Sequence, residues 1–223
     1  MINLVRANKG LLLFLLLFGV FRTAVADWSP IPSGSMRPNL LEGDVVFINR
    51  LAYDLKIPLT ERQVAHLGDP VRGDVVVFYS PLDGTRLIKR VLAVPGDLVE
   101  MRNDRLTING EEAAYALVGT ARESAGGREV DAVRLSESVG GTHQRVQLLP
   151  GVPALRDIAP LRIPRGQYLM LGDNLNNSAD SRVIGLVPRA KLLGRAEHIL
   201  VSANYQHDWK PRFERFGMAL HTR

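Results

Sequence analysis

The sequence predicts a mostly β protein that carries one apolar helix at its N-terminus. Three observations lead there. Short β-branched runs recur along the chain, each bounded by Gly, Pro or Asp, which is how strands and their turns are written. Close to the N-terminus lies an almost unbroken apolar run, Gly10 to Phe21. The chain has 223 residues, 46% of them hydrophobic, enough to bury the core of one medium domain or of one domain with an insertion.

In chain order, Arg6 and Lys9 precede the apolar run, Arg22 interrupts it, and Thr23-Ala24-Val25-Ala26 follows. The segment alone admits two readings. One is a cleavable secretory signal with Ala24-Val25-Ala26 as its A-x-A site. The other is a retained membrane anchor from Gly10 to Trp28, with Arg22 snorkelling and Trp28 at the interface. In both, Arg6 and Lys9 stay cytoplasmic and the remainder is exported. Ser29-Pro30-Ile31-Pro32 reads as a stiff extended linker, because each proline fixes φ.

Gly43-Asp44 leads into the strand Val45–Ile48, and Arg72-Gly73-Asp74 into Val75–Tyr79. Leu87-Ile88 and Val91–Val94 follow, closed by Pro95-Gly96-Asp97. Leu106–Ile108 is a short strand ending on an Asn109-Gly110 turn. Residues 111–160 show weak periodicity and two Gly-Gly pairs, and predict a looser inserted subdomain or a long β excursion. Gly166–Leu171 is a strand, Pro188–Arg195 holds a helical turn, and Ala196–Val201 is a last strand. The tail from Trp209 to Phe216 interleaves Lys210, Arg212 and Arg215 with aromatics. It reads either as a membrane-surface segment or as a solvated end with aromatics tucked inward.

The formal net charge is +5, with no long Lys/Arg block and no zinc-finger spacing, so no nucleic-acid partner is expected. There is no cysteine, which excludes disulfides, thiolate catalysis and cysteine metal sites. The polar loop Gly172–Arg182 lacks the ligand pattern of a calcium loop, and no metal is expected there. His66, His143, His198, His207 and His221 have no nucleophile-elbow context, and no G-x-S-x-G occurs, so a Ser-His-Asp triad is not indicated.

Two segments remain for chemistry. Pro32-Ser33-Gly34-Ser35-Met36-Arg37-Pro38 places two hydroxyls around a glycine, a tight turn or a site where backbone approaches a ligand. In Arg86-Leu87-Ile88-Lys89-Arg90-Val91, strand alternation puts Lys89 on the face of Leu87 and Val91. A lysine held on an apolar face loses its proton readily and becomes a competent base; the alternative is a lysine snorkelling at a sheet edge. A serine–lysine pair is the chemistry these segments leave open.

Taken together, four segments resemble the bacterial type I signal peptidases, or leader peptidases, in the order that family uses. They are Pro-Ser-Gly-Ser-Met at 32–36, Arg-Gly-Asp-Val-Val-Val-Phe at 72–78, Ile-Lys-Arg-Val at 88–91 with Pro-Gly-Asp at 95–97, and Gly-Asp-Asn through Asn-Ser-Ala-Asp-Ser-Arg at 172–182. The resemblance implies a signal-peptidase-like β core from residues 29–103 and 161–223, an inserted β-rich subdomain at 104–160, and one N-terminal transmembrane helix within residues 1–28. It implies Ser35 as nucleophile and Lys89 as general base. Ser33 and the Ser35 N–H would form the oxyanion hole, and Ser178 would orient the lysine amine. Asp180 and Arg182 would form an ion pair beneath the site, and Asp173 would steady Arg90. Ile31, Pro32, Met36, Leu40, Leu87 and Ile88 would line shallow pockets for small residues. No cofactor is implied. The partners would be exported preproteins and membrane lipid, at the cytoplasmic (inner) membrane with the catalytic domain outside.

The resemblance also favours an uncleaved anchor, with Ala24-Val25-Ala26 as a self-cleavage point at most. The chain departs from the family's pattern at Leu175 and Asn176, in having room for only one membrane helix, and in its short insertion. Those departures suit a compact or second-copy enzyme. The alternatives are a specialised processing peptidase for pilins or conjugation proteins, and an inactive exported binding protein of the same fold. A self-cleaving regulator of LexA type would need a DNA-binding module before the serine, where this chain has an apolar run.

Overall fold

The computed structural model describes residues 8–60, 62–205 and 208–221. Arg6 and His207 lie outside them. Among the described residues, helix α1 (Lys9–Ala24) is followed by sixteen strands, of which seven form one antiparallel sheet in the order β1-β2-β16-β5-β6-β14-β15. These are β1 (Ala26–Pro30), β2 (Asp44–Asn49), β5 (Val75–Tyr79), β6 (Arg86–Ala93), β14 (Gln167–Leu171), β15 (Val187–Pro188) and β16 (Leu192–Ser202). β5 is the strand Val-Val-Val-Phe-Tyr, buried through its first four residues, as a central strand covered on both faces must be. β2 alternates buried and half-buried positions, as a strand with one face inward does.

One face of this sheet packs Val46, Ile48, Val75, Val77 and Ala196 beneath Ile31, Met36 and Leu40. The other packs Val76, Phe78, Val91, Met170 and Leu192 with Tyr53 and Tyr168. A third core lies under β7 (Leu98–Arg102) and β8 (Arg105–Ile108), around Val99, Met101, Leu106 and Ile108. There β7 and β8 join β9 (Glu111–Glu112) and β13 (Ile158–Arg162) in a sheet ordered β13-β7-β8-β9. A small hairpin pairs β3 (Asp54–Lys56) with β4 (Gln63–His66).

Residues 111–160 are more regular than their periodicity suggests. β10 (Ala114–Ala125), β11 (Arg128–Val139) and β12 (Thr142–Leu148) form a three-stranded meander. Its turns are the two Gly-Gly pairs, all four glycines at positive φ, between 56° and 77°. That is the conformation a two-residue hairpin turn demands. The strands exposed on one side supply little apolar alternation, so the turns carried more signal than the strands.

Three other expectations change. Ser29 and Pro30 are not linker but the end of β1, an edge strand paired with β2 from Ala26↔Asn49 to Pro30↔Val45, where proline is tolerated. The helical turn expected over 188–195 shrinks to Arg189–Lys191, between Pro188 at the end of β15 and the eleven-residue strand β16, which takes 192–195. In the tail, Trp209 and Phe213 are exposed, but Arg215 turns inward and clamps Asp44 at 3.0 and 2.5 Å.

The span expected from Gly10 to Trp28 is also not one helix. α1 stops at Ala24, because the chain enters the sheet at Ala26 and Trp28 is part of β1. Its 16 residues give about 24 Å, and among the described residues no helix is long and apolar enough to cross a membrane. Its C-terminal end is docked. Arg22 lies 4.2 Å over the Trp28 ring and 3.1 Å from Asp27, Phe18 meets Trp28 at 6.0 Å, and Thr23 Oγ1 accepts from the Leu59 N–H at 3.2 Å. Ala24 and Ala26 are buried in this junction, and Val25 between them is exposed.

Candidate active site

Ser35 sits on the single turn Gly34–Met36 that follows β1, and Met36 anchors that turn by burying its whole side chain in the core beneath. Lys89 lies at the middle of β6, opposite Val76 of β5, so its side chain rises on the same face as Leu87 and Val91. The two meet: Lys89 Nζ donates to Ser35 Oγ at 2.8 Å and to the Ile88 carbonyl at 2.9 Å. Lys89 is 2% exposed and no carboxylate is paired with it among the described residues. Burial pulls its pKa down to about 8, against the weaker opposing pull of Asp180 and Asp173. A buried hydroxyl beside an amine that can be neutral near pH 8 is an arrangement able to pass a proton from oxygen to nitrogen.

The loop after β14 wraps the other side of Ser35. Asn174 donates its backbone N–H to Ser35 O at 3.1 Å and its side-chain amide to Gly34 O at 3.0 Å. Gly172 is required there by close approach, since a Cβ would overlap Ser178 Oγ and Ser35 O. Asp173 takes both arms of Arg90 at 2.8 Å and the Asn39 amide at 2.6 Å. Asp180 takes Arg182 at 2.9 and 2.7 Å and also accepts from the Gly172 N–H at 3.1 Å, tying the ion pair to the loop.

Not every expected residue joins this group. Ser178 Oγ is buried but has no hydrogen-bond partner, so the bond expected from it to Lys89 is not formed. Ser33 is exposed in extended backbone beside Ser35, with its side chain making no capping bond. Among the residues expected to line pockets, Met36 and Leu40 have no exposed surface and Ile31 only 2%, so they are core. Pro32 is exposed, and Leu87 and Ile88 are half-buried on opposite faces of β6, packing against different cores. The described histidines are occupied elsewhere: His66 near Asp69, His143 against Ser138, His198 stacked on Phe47, His221 on Ala196 O.

Asn174 is the site residue that sequence reasoning passed over. It stands in the polar loop that drew attention, but its partners lie 140 residues earlier, and no local pattern reports which amide of such a loop turns inward.

Comparison with known proteins bears on the whole chain. Residues 4–201 match the family model described as signal peptidase, peptidase S26. The chain is 34% identical over 229 residues to signal peptidase I of Pseudomonas fluorescens, covering 96% of this chain and 79% of that one. It is 32% identical to signal peptidase I of Pseudomonas aeruginosa, with 96% and 79% covered. A solved signal peptidase I from Enterococcus faecalis is 30% identical, covering 57% of this chain and 97% of that one, with a TM-score of 0.35.

Proposed function

The chain belongs to the signal peptidase family, peptidase S26, and from that premise we propose that it removes signal peptides by a Ser35–Lys89 dyad. Members of this family are serine peptidases that cleave signal peptides from exported preproteins, and this chain is one of them. The observation that carries the dyad is the 2.8 Å contact between Lys89 Nζ and Ser35 Oγ inside a buried site where the amine has no counter-charge beside it.

On this reading, Ser35 Oγ attacks the scissile carbonyl while the neutral Lys89 amine takes its proton. The oxyanion is held by the Ser35 N–H, which lies at the start of a helical turn and has no partner within it, and by the uncommitted Ser33 hydroxyl. The ammonium of Lys89 then returns the proton to the leaving amine, and the acyl–enzyme is released by a water that Lys89 deprotonates. Once Ser35 is acylated its oxygen no longer holds the lysine. The free Ser178 hydroxyl is the buried group that can take over that hold. Arg90–Asp173 and Arg182–Asp180 fix the strand and loop that carry these groups. Small residues at the cleavage site suit the surface beside the Ser35 turn, where Pro32 is exposed and Ile88, packed against the same core as Met36, is half-buried.

The anchor belongs to the same proposal. Nine large apolar side chains of α1 between Leu11 and Phe21 are at least 42% exposed among the described residues. A helix apolar on all sides is untenable in water and suits lipid. Its length is short of a hydrocarbon core of about 30 Å, a mismatch met by local thinning and by Arg22 reaching the headgroups. We divide the chain accordingly into an anchor, a catalytic sheet, and an inserted β unit that holds β10–β12.

The test is cleavage of a purified preprotein with an A-x-A site by detergent-solubilised enzyme. Ser35→Ala and Lys89→Ala should each lower the rate by roughly a thousandfold or more. An active Lys89→Ala variant would remove the lysine from its assigned role. An inert wild type would favour a specialised processing peptidase with other substrates.

A further inference from the structure

The inserted sheet reaches the nucleophile turn through a chain of side chains that the dyad itself does not use. Arg37, two residues after Ser35, grips Glu42 with Nε and Nη2, both at 2.8 Å. This pair lies against the turn: a Cβ built on Gly34 would stand 3.1 Å from Glu42 and 3.2 Å from Arg37. The remaining arm of Arg37 pairs with Glu123, near the tip of β10 and 5% exposed. Arg134 of β11 donates to the other oxygen of Glu123 at 2.8 Å and reaches toward Gln147 of β12.

Gln147 closes the circuit. It is fully buried, its N–H donates to Asp173 O at 2.8 Å, and its carbonyl accepts from Leu175 N at 2.9 Å. Between those two anchor points stands Asn174, whose amides hold Ser35 O and Gly34 O. The turn Ser33–Gly34–Ser35 is therefore touched from one side by Arg37–Glu42 and from the other by Asn174, and both contacts run back to the same three strands.

We infer that Arg37 and Glu123 are positioning residues: through them the inserted sheet braces the Ser33–Gly34–Ser35 turn and holds its oxyanion donors on target. This rests on the peptidase reading above. A donor that meets negative charge only in the transition state affects kcat and leaves KM alone when it is misaimed. Glu123→Gln keeps shape and loses charge. Arg37→Lys keeps charge and loses the fork that spans two carboxylates.

The experiment compares these variants, their double mutant and Ser35→Ala with wild type, in the full chain in detergent, on one preprotein. Expected are a fall in kcat on the order of tenfold to a hundredfold in each single variant, KM within about twofold, and an unmoved acid limb of the pH profile, because Lys89 is untouched. The double mutant should be no worse than the weaker single, as members of one brace are not additive. Arg37 is the more exposed partner, so Arg37→Lys still reads the brace if Glu123→Gln does not fold. Full kcat in the variants beside a dead Ser35→Ala overturns the brace and leaves the peptidase reading standing. So does a loss that appears in KM or that only follows a lowered melting temperature. A wild type that cleaves no preprotein overturns both.

Discussion

Lys89 and Arg90 are neighbours in sequence, lie on opposite faces of β6, and are 2% and 7% exposed. Burial works against the charge of both. At Arg90 the bidentate Asp173 outweighs it, and the guanidinium's pKa rises; its third contact is Gly73 O at 2.8 Å. At Lys89 burial dominates, the partners are a hydroxyl and a carbonyl, and the pKa falls to about 8. The same strand thus makes one cation permanent and structural, and leaves the other able to discard its proton. The difference lies in where carboxylates were placed, since the depth is similar.

Four experiments break or sharpen that contrast. Lys89→Arg keeps the cation and removes the base, since a guanidinium does not deprotonate in proteins. Preprotein cleavage should fall as far as in Lys89→Ala, roughly a thousandfold or more, and retained activity would mean that charge alone suffices. Asp173→Asn strands Arg90 without a counter-charge. A loss of about 3–5 kcal/mol is expected in denaturant titration, partly restored by the double variant Asp173→Asn, Arg90→Met.

Lys89→Met reverses the usual sign for a core change. Because the folded pKa of Lys89 is depressed, the unfolded chain binds more protons between pH 8 and 10.5, and wild-type stability rises across that window. The variant should be more stable than wild type by about 3 kcal/mol below pH 8, with the gap closing as pH approaches 10.5, followed by chemical denaturation against pH. Asp180→Asn has the smallest expected effect on the reaction, although it strands the buried Arg182 side chain and so destabilises the fold as well. Asp180 holds the Lys89 pKa up, so its removal should move the acid limb of the pH–rate profile, expected near pH 8 in wild type, to lower pH. An unmoved limb would show that a different group sets it.

The face of Lys89 was legible in the sequence because strand alternation is local: once 86–93 reads as a strand, Leu87, Lys89 and Val91 must share a face, while its role came from the resemblance. β5 was as plain, its run of valines leaving no alternative. What escaped depends on partners far along the chain. β1 hid behind its prolines, which are acceptable only because that strand ends up at an edge. Met36 and Leu40 read as pocket residues because they stand within and just after the motif around Ser35, yet their side chains hold the turn down from below. Asn174 and Glu123 act at Ser35 and Arg37 across separations of 140 and 86 residues or so, which no periodicity encodes.

One junction has a mechanical consequence. Only Val25 separates α1 from β1, and Arg22, Thr23, Asp27 and Trp28 lock the joint. A catalytic unit on a long leash sweeps out a hemisphere. With α1 in a bilayer, as proposed, this one is held at a single height and tilt, free only to spin about the helix axis and drift sideways. Its meeting with a chain delivered through the same membrane is then a search over an area, governed by lateral diffusion and by copies per unit of surface.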